Sequence, residues 1–508
     1  MAILGNIIKG VIDVKDTLTS EINAVAEQKE MLKKLLTKAK DTDFGKHYQF
    51  EKILQSDNLE KHFAETVPYF DYNKMNDEWW HRLQKGEENV TWPGHPTYFA
   101  LSSGTTGKKS KRIPVTADMI EAIKNTGIQQ VFSLSKYDFP ADFFEKEIMM
   151  LGSSTELKEN KGHLEGEISG ISASNIPFWF RSYYKPGEEI AKIDDWDERV
   201  QTIADNAGNW DIGALSGIPS WIELMLQKVI EQHNLNHIHE IWPNLNVYTS
   251  GGVAFGPYEK SFNALLGRPI TVIDTYLASE GFVAFQSRPD TDAMKLVTNE
   301  GIYFEFVPFK PEYINEDGSL VEDAPSISLA EVELDKDYVL VMSTVSGAWR
   351  YEIGDTIAFT NIEKAEIKIT GRTKFFLNTV GSQLSVNKMD DAMKHLEEHF
   401  SAKIKEYTIC AKRCEDDEFY HCWYLGSDDD LDSSTVSEEL DAFLKNANKN
   451  YRVARGKALK GVKVKLLSPE LFYEWSGANK KKGGQVKMER VMNEEKFKEW
   501  EAFVNAQD

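Results

Sequence analysis

The sequence predicts an α/β fold in two parts, a large N-terminal α/β domain over residues 1–370 and a small C-terminal α+β domain over residues 371–508. Two observations carry that expectation. From Thr97 onward, short apolar runs bounded by Gly, Ser and Pro alternate with longer amphipathic segments, the pattern of strands interleaved with helices. The 508 residues also exceed the roughly 250 to 300 at which a single core stops growing.

Taken in order, the first sixty or so residues read as helical, with Ile22, Val25, Met31 and Leu35 at helical spacing between charges. Strands are expected over 97–101, 245–249, 270–274, 302–307 and 339–343, several ending in Ser/Gly-rich turns where open α/β sheets bind ligands. Residues 219–230 read as a helix, because Ile218, Trp221, Ile222, Met225, Leu226 and Val229 recur at three- and four-residue steps and Pro219 suits an early helical position. After the run 365–370 comes Gly371-Arg372, and beyond it a compact β/α pattern. It comprises a helix over 387–402, strands over 404–411 and 419–425, and a helix whose start, Thr435-Val436-Ser437-Glu438, has the form of a capping box. Val462, Val464 and Leu466 then alternate with Lys463 and Lys465 as a half-buried strand before a Gly/Lys-rich tail.

Composition excludes several function classes. With 59 Lys plus Arg against 81 Asp plus Glu, the net charge of −22 leaves no broad basic footprint for nucleic acid. Neither a basic segment leading into a signal-like apolar run nor the roughly 18 uninterrupted apolar residues of a spanning helix occurs, so a soluble, cytoplasmic protein is expected. A monomer is the expected state, although no residue pattern speaks to it. Three cysteines, Cys410, Cys414 and Cys422, fit a reducing compartment better than a disulfide framework. His233, His237 and His239 lie in a polar stretch without an H-E-x-x-H arrangement, and Cys410, Cys414, His421 and Cys422 lack zinc-ribbon spacing, so neither set reads as a metal site. No G-x-S-x-G elbow marks a serine hydrolase.

The strongest chemical signal is the run from Ser102, Ser103, Gly104, Thr105, Thr106 and Gly107 to Lys108, Lys109, Ser110, Lys111 and Arg112, directly after an expected strand. Glycines let backbone N–H groups approach anionic oxygens, hydroxyls add donors, and four cations offset the repulsion an acidic protein exerts on a phosphate. Only two residues separate Gly104 from Gly107, so this is not a Walker A loop. The run resembles the phosphate loop of the adenylate-forming superfamily, with Lys109 where that pattern has proline.

Four further patterns follow in the superfamily's order. Tyr276-Leu277-Ala278-Ser279-Glu280 is similar to Y-G-x-T-E, Tyr351-Glu352-Ile353-Gly354-Asp355 to Y-x-x-G-D, and the segment from Gly371 and Arg372 through Lys374 to Gly381 to the hinge motif. Gly483-Gly484-Gln485-Val486-Lys487 resembles the loop of the catalytic lysine. Within the superfamily, YLASEG, WRYEIGD, GIPSW and QVKMER resemble the auxin-responsive-promoter family of acyl-acid amido synthetases.

That resemblance implies ATP and Mg²⁺ as cofactors and a role for each matched residue. Residues 102–107 hold the distal phosphates, Tyr276 stacks on adenine, Ser279 touches the α-phosphate and Glu280 helps hold Mg²⁺. Asp355 and Arg372 anchor ribose, Lys374 is the hinge and Lys487 the catalytic lysine. Gly251, Gly252 and Val253 form the adenine-side turn, while Ile218, Trp221, Ile222 and Met225 border the acyl-acid pocket. The implied activity is acyl-AMP formation from a small carboxylic acid and transfer of the acyl group to an amine such as an amino acid, with an acyl-CoA or acyl-protein ligase of the same fold as the alternative.

Overall fold

The computed structural model describes residues 23–102, 111–252, 255–315, 318–373, 384, 386–413, 419–448, 451–452, 455, 459–478, 488–492 and 494–507. Its strands, in chain order, are β1 (Tyr98–Ser102), β2 (Lys111–Val115), β3 (Glu147–Leu151), β4 (Lys158–Asn160), β5 (His163–Gly166) and β6 (Tyr184–Lys185). They continue with β7 (Ile212–Gly217), β8 (Val247–Gly251), β9 (Thr271–Ala278), β10 (Gly281–Phe285), β11 (Met294–Leu296) and β12 (Ile302–Pro308). The last six are β13 (Asp337–Thr344), β14 (Tyr351–Asn361), β15 (Glu366–Arg372), β16 (Glu406–Arg413), β17 (Phe419–Gly426) and β18 (Leu459–Leu467).

Eleven of these strands form one mixed sheet in the order β12-β13-β14-β15-β11-β10-β9-β8-β7-β3-β6. From β9 to β6 neighbours run parallel, and from β9 to β12 they run antiparallel. The change of direction falls at the Ser279-Glu280 turn between β9 and β10, where Gly281 takes φ +150°. Helix α1 (Ala24–Ala39) covers the antiparallel half. It buries Met31, Leu32, Leu35 and Leu36, and its buried Gln28 bonds the carbonyls of Thr298 and Ile302 and the amide of Phe304. A primary amide in a core costs stability unless all its polar atoms are satisfied, and here they fix α1 in one register on β12.

On the parallel half, helices α2 (Trp196–Asn206) and α3 (Pro219–Gln232) pack together, with Ile203, Ile222, Met225, Leu226 and Val229 fully enclosed beside Trp242 and Tyr248. Strands β12 and β13 are buried almost throughout, which is why IYFEFVP and DYVLVMST read as continuous apolar runs rather than alternations.

Two expectations need revision. Strand β1 does not belong to the main sheet; it lies in a four-stranded sheet ordered β2-β1-β5-β4, and its antiparallel register pairs Ser102 with Lys111. The helix α5 (Ser433–Ala447) begins not with Thr435 as its cap but with Asp432, whose carboxylate accepts from the Thr435 amide, so the Thr-x-x-Glu spacing lies within the helix. An Asp three residues before a Thr makes the stronger acceptor and moves the start back.

Helix α4 (Val386–Phe400) and α5 pack on one face of the sheet β16-β17-β18, and α6 (Pro469–Ala478) and α7 (Glu494–Asn505) on the other. Alternation along the strands separates the two cores: Ile409, Ala411, Trp423 and Leu425 face α4 and α5, while Cys410, Cys422 and Tyr424 face Phe472, Phe497 and Trp500. The sequence reading stopped at a basic tail and missed α6 and α7, although Phe497, Trp500 and Val504 recur at helical steps. Among the described residues, no helix is long and apolar enough to cross a membrane.

Candidate active site

The carboxyl ends of β7, β8 and β9 lie side by side, in a register that places Gly217 opposite Ser250 and Gly251 opposite Thr275. Gly251 has no room for a side chain, because a Cβ there would lie 2.8 Å from the Thr275 hydroxyl oxygen, and Gly252 turns the chain with φ +79°. Of the residues expected to meet a nucleotide, Gly251, Gly252 and Tyr276 lie along this edge.

Asp355 stands on β14 directly opposite Arg372 on β15, and the Arg372 Nε lies 2.6 Å from its Oδ1. The Tyr276 hydroxyl, from β9, donates a short hydrogen bond to the other carboxylate oxygen. Strands β14 and β9 are four places apart, about 19 Å in a flat sheet at roughly 4.8 Å per strand. Two side chains cannot span that distance, so the sheet must curl to bring β9 and β14 together, and the intervening strands include the three-residue β11. Arg372 keeps 44% of its side chain exposed while Asp355 keeps 12%, so the pair opens outward from the guanidinium side.

Glu280 joins this corner from the β9–β10 turn and is itself buried. Burial pushes its carboxyl above the ordinary range, Asp355 adds to that push, and Lys111 and Arg372 oppose it. Asp355 beside Arg372 holds the guanidinium pKa up. The Tyr351 phenol rises well above its usual value, first by burial and then by the nearby Glu280 charge. Two carboxylates and two cations are thus held in one partly enclosed corner, an arrangement able to bind a polyanion together with a divalent cation.

Lys111 was singled out only as one cation of the Ser/Gly run, and the structure gives it a more specific place. It starts β2, opposite Ser102, with its ammonium 5.3 Å from the Tyr72 ring and close enough to Glu280 to lower that carboxyl's pKa. Arg112, counted with it as a phosphate-facing cation, is committed elsewhere: Nε bonds Glu165 at 2.9 Å, and Asn160 and His163 approach the same carboxylate. The charge it brings is neutralised inside the small sheet.

Of the other expected residues, Ser279 is half-buried beside Glu280. Ile218 is half-buried and Trp221 8% exposed, its ring 5.0 Å from Trp196, whereas Ile222 and Met225 are fully enclosed in the core. Tyr276 is buried as well, with its hydroxyl turned to Asp355. Ser103, Gly104, Thr105, Thr106, Gly107, Val253, Lys374 and Lys487 lie outside the described residues. His233 and His239 are engaged with the carbonyls of Ala204 and Leu245 at 2.7 and 3.0 Å. A cleft of about 430 Å³ lined by Tyr69, Asp71, Lys74, Glu322 and Glu352 includes none of the converging residues.

Asp274, on β9, gives a pH prediction. Burial, with Asp292 nearby, pushes its carboxyl from 3.8 up to about 6. Between those values the folded chain holds a proton that the unfolded chain has released, so this group's contribution to stability falls as pH rises from about 4 to about 6 and stays lost above. Asp274→Asn is expected to raise the thermal midpoint at pH 7.5, with the advantage over the parent shrinking toward pH 4.5. An advantage independent of pH would assign the effect to packing.

Models of three domains match the chain: the GH3 family N-terminal domain over residues 16–204, the central domain over 295–372 and the C-terminal domain over 387–496. The chain belongs to the GH3 family. The GH3 relationship extends to curated proteins at low identity. The probable indole-3-acetic acid-amido synthetase GH3.9 of Oryza sativa subsp. japonica is 25% identical over 267 residues, 47% of this chain and 57% of that protein. The indole-3-acetic acid-amido synthetase GH3.2 of Arabidopsis thaliana is 24% identical over 217 residues, 40% of this chain and 39% of that one. This GH3 chain thus spans about half the length of the curated relatives it matches. Among solved structures, the GH3.15 acyl acid amido synthetase superposes with a TM-score of 0.76 at 17% identity, covering 98% of this chain and 96% of that one. A 2-hydroxyisobutyryl-CoA ligase in its postadenylation state superposes with a TM-score of 0.58 at 13% identity, covering 94% and 90%. The chain thus shares the fold of these two enzymes, a large N-terminal α/β part with a smaller C-terminal one.

Proposed function

We propose that the chain is an ATP-dependent acyl-acid amido synthetase, which activates a carboxylic acid as an acyl-AMP and passes the acyl group to an amine, an amino acid by class. One observation carries this reading: Glu280, Asp355, Tyr276 and Arg372, drawn from β9, its turn, β14 and β15, meet at one corner beside Lys111 at the base of the Ser/Gly loop. GH3 family membership supports it.

A carboxylate resists attack by an amine because it is anionic and would have to expel oxide. Adenylation removes both obstacles. One carboxylate oxygen of the acid attacks the α-phosphorus of ATP in line and pyrophosphate leaves; the amine nitrogen then attacks the acyl carbonyl carbon, loses a proton, and AMP departs. Positioning and electrostatic stabilisation supply most of the rate in the first step.

The side chains divide this work. Residues 102–107 grip the β- and γ-phosphates, Gly251, Gly252 and Val253 edge the adenine, Ser279 reaches the α-phosphate, and Tyr276 lies on the adenine side while orienting Asp355. Asp355 and Arg372 hold ribose, with the carboxylate fixed from both sides before any ligand arrives. The donor set fits Mg²⁺, since the buried Glu280 is penalised for its charge and a divalent cation relieves that penalty. Bound there, the ion would neutralise charge developing on the phosphates. Lys487 would stabilise the α-phosphoryl group in the transition state. Ile218 and Trp221 wall the acid pocket, with Ile222 and Met225 behind them.

The same reading divides the chain at 371, with Lys374 as the pivot of a lid over 371–508. The central family match ending at 372 and the C-terminal match beginning at 387 support that division. A cytoplasmic monomer acting on small molecules completes the reading, and a sparse, odd set of three cysteines fits a reducing compartment.

The test is pyrophosphate release over a panel of aromatic, aliphatic and amino acids, followed by mass spectrometry of the products formed with amino acids or CoA. Acid-dependent release with an amide product is expected. A CoA thioester without amide would move the chain to the ligase reading, and ATP binding without acid-dependent release would overturn both.

A further inference from the structure

In the C-terminal part of the chain, His395 and His399 project from one face of α4, four residues apart, toward Glu439 on the neighbouring α5. The His395 Nε2 lies 2.6 Å from Glu439 Oε1 and the His399 Nδ1 lies 3.8 Å from the same oxygen. The second separation is too long for a hydrogen bond and is an ion pair only when His399 is protonated. The two distances bracket the spacing of about 3.4 Å that N and O ligands take around a tetrahedral ion at roughly 2.1 Å. All three donor atoms lie within 4.8 Å of one another.

The rings are also held in place. His395 stacks on Phe443 with centroids 4.5 Å apart, and Phe443 stands one helical turn after Glu439 on α5. His399 packs edge-on to Phe400, with centroids 4.7 Å apart. Two histidines at i and i+4 on one helix face, completed by a carboxylate from a packed helix, form a bidentate clamp closed by a third ligand, and imidazole with carboxylate selects borderline divalent ions.

We propose that His395, His399 and Glu439 bind one divalent transition-metal ion, zinc by donor class, with a fourth position open to solvent. The exposed side of the site, where the three side chains keep 33%, 48% and 28% of their surface, gives the ion its entry path. Binding ties α4 to α5 across the face of the small sheet and stabilises that part of the protein.

The test uses the full chain. Calorimetric titration with Zn²⁺ is expected to give one equivalent bound, with a rise in thermal midpoint. Co²⁺ is expected to give the intense visible absorption of a four-coordinate ion. His399→Ala, chosen because it has the most exposed side chain of the three, is expected to weaken Zn²⁺ binding about 10²-fold or more and abolish the Co²⁺ band. Glu439→Gln provides a second reading, since it preserves shape while removing the charged ligand. Absence of stoichiometric binding, or binding unchanged in His399→Ala and Glu439→Gln, would overturn the proposal.

Discussion

Glu280→Gln is expected to slow acid-dependent pyrophosphate release about 10²- to 10³-fold while leaving the thermal midpoint at neutral pH equal to or above that of the parent. The two halves of that result have one cause. Burial penalises the ionised carboxyl of Glu280, with only partial relief from Lys111 and Arg372, so the folded protein holds a charge it would be more stable without. The sign follows from linkage: a raised carboxyl pKa means stability lost as pH climbs through the window above the ordinary value, and the neutral amide removes that loss. On the proposed reading, bound metal and phosphates would offset that cost. An ordinary ion pair between Glu280 and Lys111 predicts the reverse, a lower midpoint with little change in rate. Lys487→Ala is the matched control, because its loss of similar size falls on acyl-AMP formation alone and preformed acyl-AMP should still be converted.

Arg350→Ala is expected to lower the free energy of unfolding by about 3 to 5 kcal/mol in urea titration. Arg350 is 4% exposed and its Nε bonds both oxygens of the equally buried Glu305 at 3.1 Å. The same guanidinium donates to the carbonyls of Ala64 and Val67 and to Ser326, and lies 4.0 Å over the Tyr69 ring. Truncation leaves Glu305 charged and unpaired in the middle of β12, together with two carbonyls stripped of donors. Arg350 also takes φ +40°, a left-handed conformation that only a well-anchored side chain justifies away from glycine. Since Tyr351 follows directly and β14 carries Asp355, the anchor fixes where that strand enters the site. The double variant Arg350→Met with Glu305→Leu should recover part of the loss, because it abandons the buried charges together but not the orphaned carbonyls. Full recovery would show that the backbone acceptors contribute nothing.

How far the sequence disclosed this site depends on the kind of signal. Asp355 and Arg372 were legible because each follows a glycine in a fixed local motif, and the register that pairs them runs through adjacent strands. Their junction with Tyr276 was not legible, since it depends on the roll of a sheet whose intervening strands include one only three residues long. Helical periodicity found α3 but could not tell Trp221, still 8% exposed, from the fully enclosed Met225, because both lie on the same apolar stripe. Arg112 looked like a phosphate ligand for a similar reason: its partner Glu165 is 53 residues away, and nothing local announces the pairing.

The meeting of β9 and β14 also dictates an order of events when the chain folds. Strands four places apart in the sheet are joined only by non-local pairings, so Asp355 is expected to acquire Tyr276 late, after long-range closures that are slow to find. A molecule stalled before that point has neither the anchor nor the neighbouring acidic turn in place. On the proposed reading, incompletely folded protein is expected to be inactive rather than to hydrolyse nucleotide without an acceptor.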